Sequence, residues 1–280
     1  MPFILLLIAF VLIISKFIVT GDFLNKDISL KGGVSITIIQ EEEINVEALE
    51  IALASKLQPN EVSVRALRGA GRQIGFLVES DIQELTQDKL DLLVSGISEH
   101  IGREITERDY SLESTGSALG GSFFTQILRA LLIAFIFMGL VVFFYFRNLV
   151  PSIAVILAAL SDIIVTLAIV NLLGIKIGTA GIAAFLMLIG YSIDTDIMLT
   201  TRVLKRKVPI REAITGAFKT GMTMTLTTLV AVTVALIFSQ SEIIRQIMTI
   251  LMIGLMVDII YTWVQNSGLL LWYVEKNGKD

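Results

Sequence analysis

Residues 186–207 read LMLIGYSIDTDIMLTTRVLKRK, and the reading of this stretch sets the fold class. It opens as an apolar run of the length that crosses a bilayer, takes in Asp194 and Asp196, and closes on Arg202, Lys205, Arg206 and Lys207. A carboxylate inside such a run costs roughly 3 kcal/mol on insertion scales, so two within three residues demand a reason. Lys and Arg flanking a span tend to stay in the cytoplasm, so the basic cluster also gives the span a direction.

The rest of the chain extends this pattern. Hydrophobic residues make up 54% of the 280 and charged residues 17%, a balance that excludes an ordinary soluble globule. Apolar runs dominate residues 1–20 and 127–274, with the charge concentrated between them. Residues 21–122 carry 18 acidic and 9 basic side chains, net −9, against 8 acidic and 13 basic elsewhere, net +5. Charge sorted in this way implies a membrane between the two sets. There is no cysteine and one histidine, His100, which leaves no disulfide framework, thiolate metal site or histidine-based zinc site.

Phe3–Val19 is apolar except for Ser15 and Lys16. It lacks the basic start and small-residue cleavage site of a signal peptide and is expected to be an uncleaved first transmembrane helix, with Lys16 snorkelling at its far end. Residues 21–122 then change period. Val34, Ile36 and Ile38 alternate as a strand, and Asn45 is placed to cap a helix with the stripe Val46, Leu49, Leu53, Leu57. Val62, Val64 and Ala66 turn at Gly69-Ala70-Gly71 into Ile74, Phe76 and Val78. Asp81 with Glu84 forms a capping-box pattern before a helix that Gly102 ends, and a last strand is expected near Ile105–Leu112. The order βαββαβ is the split βαβ, ferredoxin-like plan.

Ser114–Ser122 reads as a flexible Gly/Ser connector. Five further spans follow at about Ile127–Phe146, Pro151–Leu173, Ile177–Thr200, Met222–Phe238 and Ile243–Val264, the last broken at Gln265-Asn266-Ser267-Gly268 within an apolar stretch ending at Val274. Gly174, Gly178, Gly181 and Gly190 suit close helix approach. Val208–Phe218 reads equally as a surface amphipathic helix meeting anionic lipid or as a plain positive loop. The expected domains are 1–20, the first span; 21–122, an extracytoplasmic ferredoxin-like domain; and 123–280, a five-helix bundle with a basic cytoplasmic loop at 201–221. The positive-inside rule places both termini in the cytoplasm.

Lys31-Gly32-Gly33 at the first strand, GSALGG at Gly116–Gly121, and GYSIDTD at Gly190–Asp196 followed by Arg202 together resemble SecF, the accessory subunit of the Sec protein-export system, in its archaeal branch. The resemblance covers essentially the whole chain. Bacterial members usually read Asn-Asp-Thr where Asp194-Thr195-Asp196 stands here, and carry an Asp at the position of Thr201, so the resemblance does not choose between Asp194 and Asp196. It implies an RND-like half-transporter architecture, SecD as partner, the Sec translocation channel and an exported polypeptide as further contacts, and use of the proton gradient. No nucleic acid and no cofactor are expected, and no enzymatic activity: the chain has no Walker loop, dinucleotide fingerprint or catalytic Ser/His/Asp set.

Four carboxylates lie within predicted spans and are the ion-coupling candidates: Asp194, Asp196, Asp162 and Asp258. Asp194 and Asp196 sit about 200° apart around a helix, so they face different neighbours, and Asp194 is expected to matter more because it lies deeper. The alternative is that all four are hydrogen-bonded packing residues served by Ser161, Ser192, Thr195 or Thr200. Three functions stay open: a Sec accessory subunit, a half-transporter of a small molecule or lipid, or an uncoupled scaffold for the channel.

Overall fold

The computed structural model describes residues 1–40, 42–69, 72–239 and 241–276. Two compact units share the chain: one comprises Met1–Asn25, Leu128–Leu236 and the chain from Gln246 on, the other Lys26–Ile127 with Ile237–Arg245.

The chain opens with α1 (Pro2–Thr20), which has Pro at its first helical position and ends where Gly21 takes φ 75° and its N–H returns to the Phe17 carbonyl. A short α2 (Ile28–Lys31) leads to β1 (Gly33–Ile39), α3 (Val46–Lys56), β2 (Val62–Gly69), β3 (Arg72–Ser80), α4 (Gln87–Ile101) and β4 (Tyr110–Thr115). All neighbouring strands run antiparallel in the order β2-β3-β1-β4, which is the ferredoxin-like arrangement the periodicity predicts. Val34, Ile36, Ile38, Phe76 and Val78 from the sheet meet Leu49, Leu53, Leu93 and Ile97 from the helices in one core. Each such side chain withdrawn from water contributes roughly 1.5–3 kcal/mol. Asn45 caps α3, its carboxamide oxygen accepting from the N–H groups of Glu47 and Ala48, both at 3.1 Å. Gly33 is required by geometry: a Cβ there would lie 2.3 Å from the Ser80 carbonyl oxygen.

Three local readings are corrected. The Asp81–Glu84 capping box does not form. The Asp81 carboxylate instead accepts from the Glu61 N–H at 2.8 Å and the Asn60 amide at 3.2 Å, and α4 starts at Gln87 behind Thr86. The last strand starts at Tyr110. The Gly/Ser connector is mostly helix, since β4 ends at Thr115 and the next helix begins at Ser117. Of the predicted β2–β3 turn, Ala70 and Gly71 lie outside the described residues, as does Lys279 of the tail.

The remaining helices are α5 (Ser117–Phe146), α6 (Leu149–Leu172), α7 (Thr179–Leu204), α8 (Ile210–Phe238) and α9 (Glu242–Ile260), continued by a π-helical turn (Tyr261–Asn266) into α10 (Ser267–Lys276). Among the described residues six helical stretches are long and apolar enough to cross a membrane: Pro2–Thr20, Phe124–Phe146, Leu149–Leu172, Thr179–Leu204, Ile210–Phe238 and Ile243–Lys276. The chain is thus a multi-pass membrane protein. The predicted break at Gln265–Gly268 is absent; the backbone stays helical by widening one turn. Val208–Phe218 forms neither a separate surface helix nor a loop, because α8 runs unbroken from Ile210.

Lipid gives apolar side chains no reason to leave it, so helices in a bilayer associate through close packing and polar contacts. α6 supplies small side chains at Ala154, Ala158, Ala159 and Ala168, all buried. Gly254 of α9 lies so close to α7 that a Cβ would sit 2.4 Å from a Leu188 methyl. Gly181 packs similarly against Ile250, whereas Gly190 has nothing near it and Gly174 instead ends α6 at φ 68°. α1 joins this core through Ala9, which packs with Val165, Ala168, Val257 and Tyr261. A polar latch closes its far end. Lys16 donates to the Asn25 side chain, Asn171 donates to the Phe23 carbonyl at 2.9 Å, and the Ile177 N–H reaches the Asn25 carbonyl at 2.6 Å.

Candidate functional site

Of the four intramembrane carboxylates, three meet. Asp162 of α6, Asp196 of α7 and Asp258 of α9 are each fully buried, whereas Asp194 is exposed on the outer face of α7. The two-residue separation accounts for the split: a step of about 200° turns one carboxyl inward and the other out. The two acids thus differ in facing. Asp196 belongs to the internal cluster and Asp194 does not.

Each buried acid is held by one neutral donor. Ser192 Oγ donates to Asp162 Oδ2 at 2.6 Å, Asn266 Nδ2 to Asp196 Oδ1 at 2.7 Å, and Thr262 Oγ1 to Asp258 Oδ1 at 3.0 Å. The second oxygen of each, Asp162 Oδ1, Asp196 Oδ2 and Asp258 Oδ2, is buried with no protein donor. Among the described residues no Lys or Arg pairs with any of the three, and no group of three acidic or histidine side chains has the spacing to hold a metal ion. Three uncompensated charges in so buried a pocket would be costly.

Two participants escape the sequence reading. Gln265 and Asn266 look like a helix break, yet they are the buried end of the π turn. Gln265 Nε2 donates to Ser161 Oγ at 3.3 Å, and the Ser161 hydroxyl donates to the Leu157 carbonyl at 2.7 Å. Asp258, Thr262 and Asn266 are spaced four apart and form one stripe. The wider turn brings the adjacent Gln265 to the same inner surface, and π turns of this kind are frequent at functional sites. Two amides inside a long apolar run are themselves unusual, and that was the available signal. Of the other expected donors, Ser161 and Ser192 take part. Thr195 bonds the Tyr191 carbonyl of its own helix, and Thr200 Oγ1 is buried without a partner.

Comparison with known proteins matches this architecture. The family model described as protein export membrane protein SecD/SecF, C-terminal, matches residues 96–276. A protein-export membrane protein SecF from Methanocaldococcus jannaschii is 39% identical over 274 residues, covering 94% of this chain and 92% of its own. SecF proteins from Methanolacinia petrolearia and Pyrococcus furiosus are 36% and 37% identical, each aligned over 100% of this chain and over 94% and 91% of their own length. The chain belongs to the SecF family. The SecF relatives are named for protein export, a transport role. The fold agrees as well: SecDF from Thermus thermophilus, described as a translocon-associated membrane protein, superposes on 98% of the chain with a TM-score of 0.74 at 22% identity. This chain spans 37% of that longer one. Within the SecF frame, the GYSIDTD block is the segment of α7 that places one acid inside the bundle and one outside it.

Proposed function

We propose that this SecF-family chain works with SecD at the Sec translocation channel, promoting movement of exported polypeptides across the cytoplasmic membrane and drawing on the proton gradient. The observation that carries the reading is the two-faced α7. Its inner carboxyl, Asp196, sits in a buried cluster with Asp162 and Asp258. Its outer carboxyl, Asp194, stands on a face that none of the described residues covers, beside Gly190 with open space over it. A carboxyl facing lipid is costly, and a small residue one turn away permits a close helix, so this face suits a partner helix carrying a complementary group. SecD is the partner whose likeness to the other RND-like half fits there.

In this reading both termini are cytoplasmic and residues 21–122 lie outside. The charge of the connections supports it: those at Arg147 and Arg202–Lys219 are basic, as cytoplasmic connections tend to be.

The test is preprotein export in energised vesicles with and without an uncoupler, together with recovery of SecD. Asn retains size and hydrogen bonding but cannot titrate. Asp196→Asn and Asp258→Asn are expected to retain SecD while losing uncoupler-sensitive stimulation. Asp194→Asn is expected to weaken recovery of SecD. Full uncoupler-sensitive export in the Asp196→Asn/Asp258→Asn double variant would leave an uncoupled scaffold as the surviving reading.

A further inference from the structure

A second site lies outside the carboxylate cluster. The end of α7 and the first three turns of α8 enclose a cavity of about 520 Å³, lined by Arg202, Lys205, Arg206, Glu212, Gly216 and Lys219 with smaller neighbours. Four of these side chains are cations and one is an anion. Among the described residues Glu212 neutralises none of them: no ion pair joins it to Arg202, Lys205, Arg206 or Lys219.

Three of the four cations have an anchoring contact. Arg202 lies flat against α8, its Nη2 donating to Thr220 Oγ1 at 3.0 Å, while Nη1 passes 3.5 Å from where a Cβ on Gly216 would be. A Cβ at Gly216 would meet that guanidinium at ordinary van der Waals distance. Arg206 Nη1 donates to the Val203 carbonyl at 3.1 Å. Lys205 Nζ stands 5.0 Å from the centre of the Tyr145 ring, an aromatic at the end of an apolar helix, the position such rings take at headgroup level. The cavity thus combines fixed guanidinium and ammonium donors, an opening at a span end and a volume fit for a headgroup.

We infer that this cavity is a binding site for a phosphate diester, supplied by the headgroup of an anionic phospholipid. A phosphate diester carries one negative charge on unhindered oxygens, which guanidinium and ammonium groups recognise well. A headgroup at this depth leaves its acyl chains beside α5, α7 and α8, where apolar side chains such as Phe144 and Phe218 are exposed. The site would brace the α7–α8 junction, about two helical turns from Asp194 and Asp196.

The competing explanation is diffuse charge. Lys207 and Arg211 are exposed neighbours in the same segment that do not line the cavity, so they provide a matched control. The full-length chain, purified in neutral detergent, is titrated with short-chain phosphatidylglycerol, phosphatidylcholine and inorganic phosphate, and lipid retained through purification is counted by native mass spectrometry. Phosphatidylglycerol is expected to bind in preference to phosphatidylcholine. Lys205→Gln/Lys219→Gln should weaken it roughly 30-fold, at about 1 kcal/mol per basic residue, while Lys207→Gln/Arg211→Gln changes it less than about threefold. Inorganic phosphate binding as tightly as the lipid, with the same variant pattern, would support the phosphate site and replace its source by the free ion. Equal losses in the two double variants, or no preference for phosphatidylglycerol, would overturn the inference. Unliganded thermal midpoints, expected to agree between the double variants, exclude misfolding as the cause of a difference.

Discussion

The sheet domain and the helical bundle each bury acids, and they treat them in opposite ways. Glu79 in β3 is 3% exposed and receives Arg65 Nη2 at 2.8 Å. Asp162, Asp196 and Asp258 are fully buried and receive a serine, an asparagine and a threonine. A guanidinium partner holds a carboxylate in one charge state. A neutral donor accepts either state with small changes of geometry, and the proposed coupling role rests on that difference. The sheet domain pairs its buried acid with a cation, and the bundle pairs its buried acids with neutral donors.

The sharpest way to break this contrast is to give the bundle a cation. Asn266→Lys places an ammonium where the amide now donates to Asp196, and is expected to fix that carboxyl as its anion. Uncoupler-sensitive export should fall to the unstimulated level at normal protein abundance, measured in the same energised vesicles. Undiminished stimulation would show that the charge state of Asp196 is irrelevant.

The converse change belongs to the sheet domain. Arg65→Ala removes the cation from Glu79, which keeps a further contact, so the expected cost is about 1–3 kcal/mol. Urea unfolding of residues 26–116 expressed alone should show this loss, and the same domain should give a mixed α/β circular dichroism spectrum. A change below about 1 kcal/mol would mean that Glu79 is held by other neighbours and that the contrast with the bundle is overstated.

Two smaller effects calibrate the domain. Asn45→Ala should cost α3 about 1 kcal/mol, since two N–H groups lose their acceptor; equal urea midpoints for the two forms would deny the cap an energetic role. At the surface, the hydrogen bond and charge of Lys56 hold the Glu99 carboxyl below its ordinary value of 4.5. A lowered folded-state value means that the stabilisation is present above the ordinary glutamate range and is lost as pH falls through the lowered value. In an NMR titration the Glu99 midpoint should lie below 4.5 and rise in Lys56→Met. An identical midpoint in the two would separate the pair in solution.

The sequence exposed the parts of this protein whose signal is local. Apolar runs of bilayer length can satisfy their backbone only as helices, so the spans were legible to within a turn or so at most ends. Alternation in β1 to β3 and the Asn45 cap were legible for the same reason, because period and capping act within a few residues. The local patterns failed where a distant group intervened. Asp81 matches a capping box, but Glu61 and Asn60 across the fold claim its carboxylate. Gln265-Asn266 matches a break, but α6 and α7 supply Ser161 and Asp196 as partners, which repay the cost of burying the amides inside a helix.

What the sequence by itself determined was the membrane class, the split βαβ domain and the presence of acids in the spans, since insertion cost and periodicity are read along one segment at a time. Which acids meet was decided by tertiary structure alone. Asp194 and Asp196 differ in sequence by a two-residue step, and only the packing of α6 and α9 against one side of α7 makes one of them interior and the other a surface. Hydrogen-bond partners 30 and 70 residues apart, as in Ser192–Asp162 and Asn266–Asp196, have no sequence-local signature, because their geometry exists only once the helices have packed.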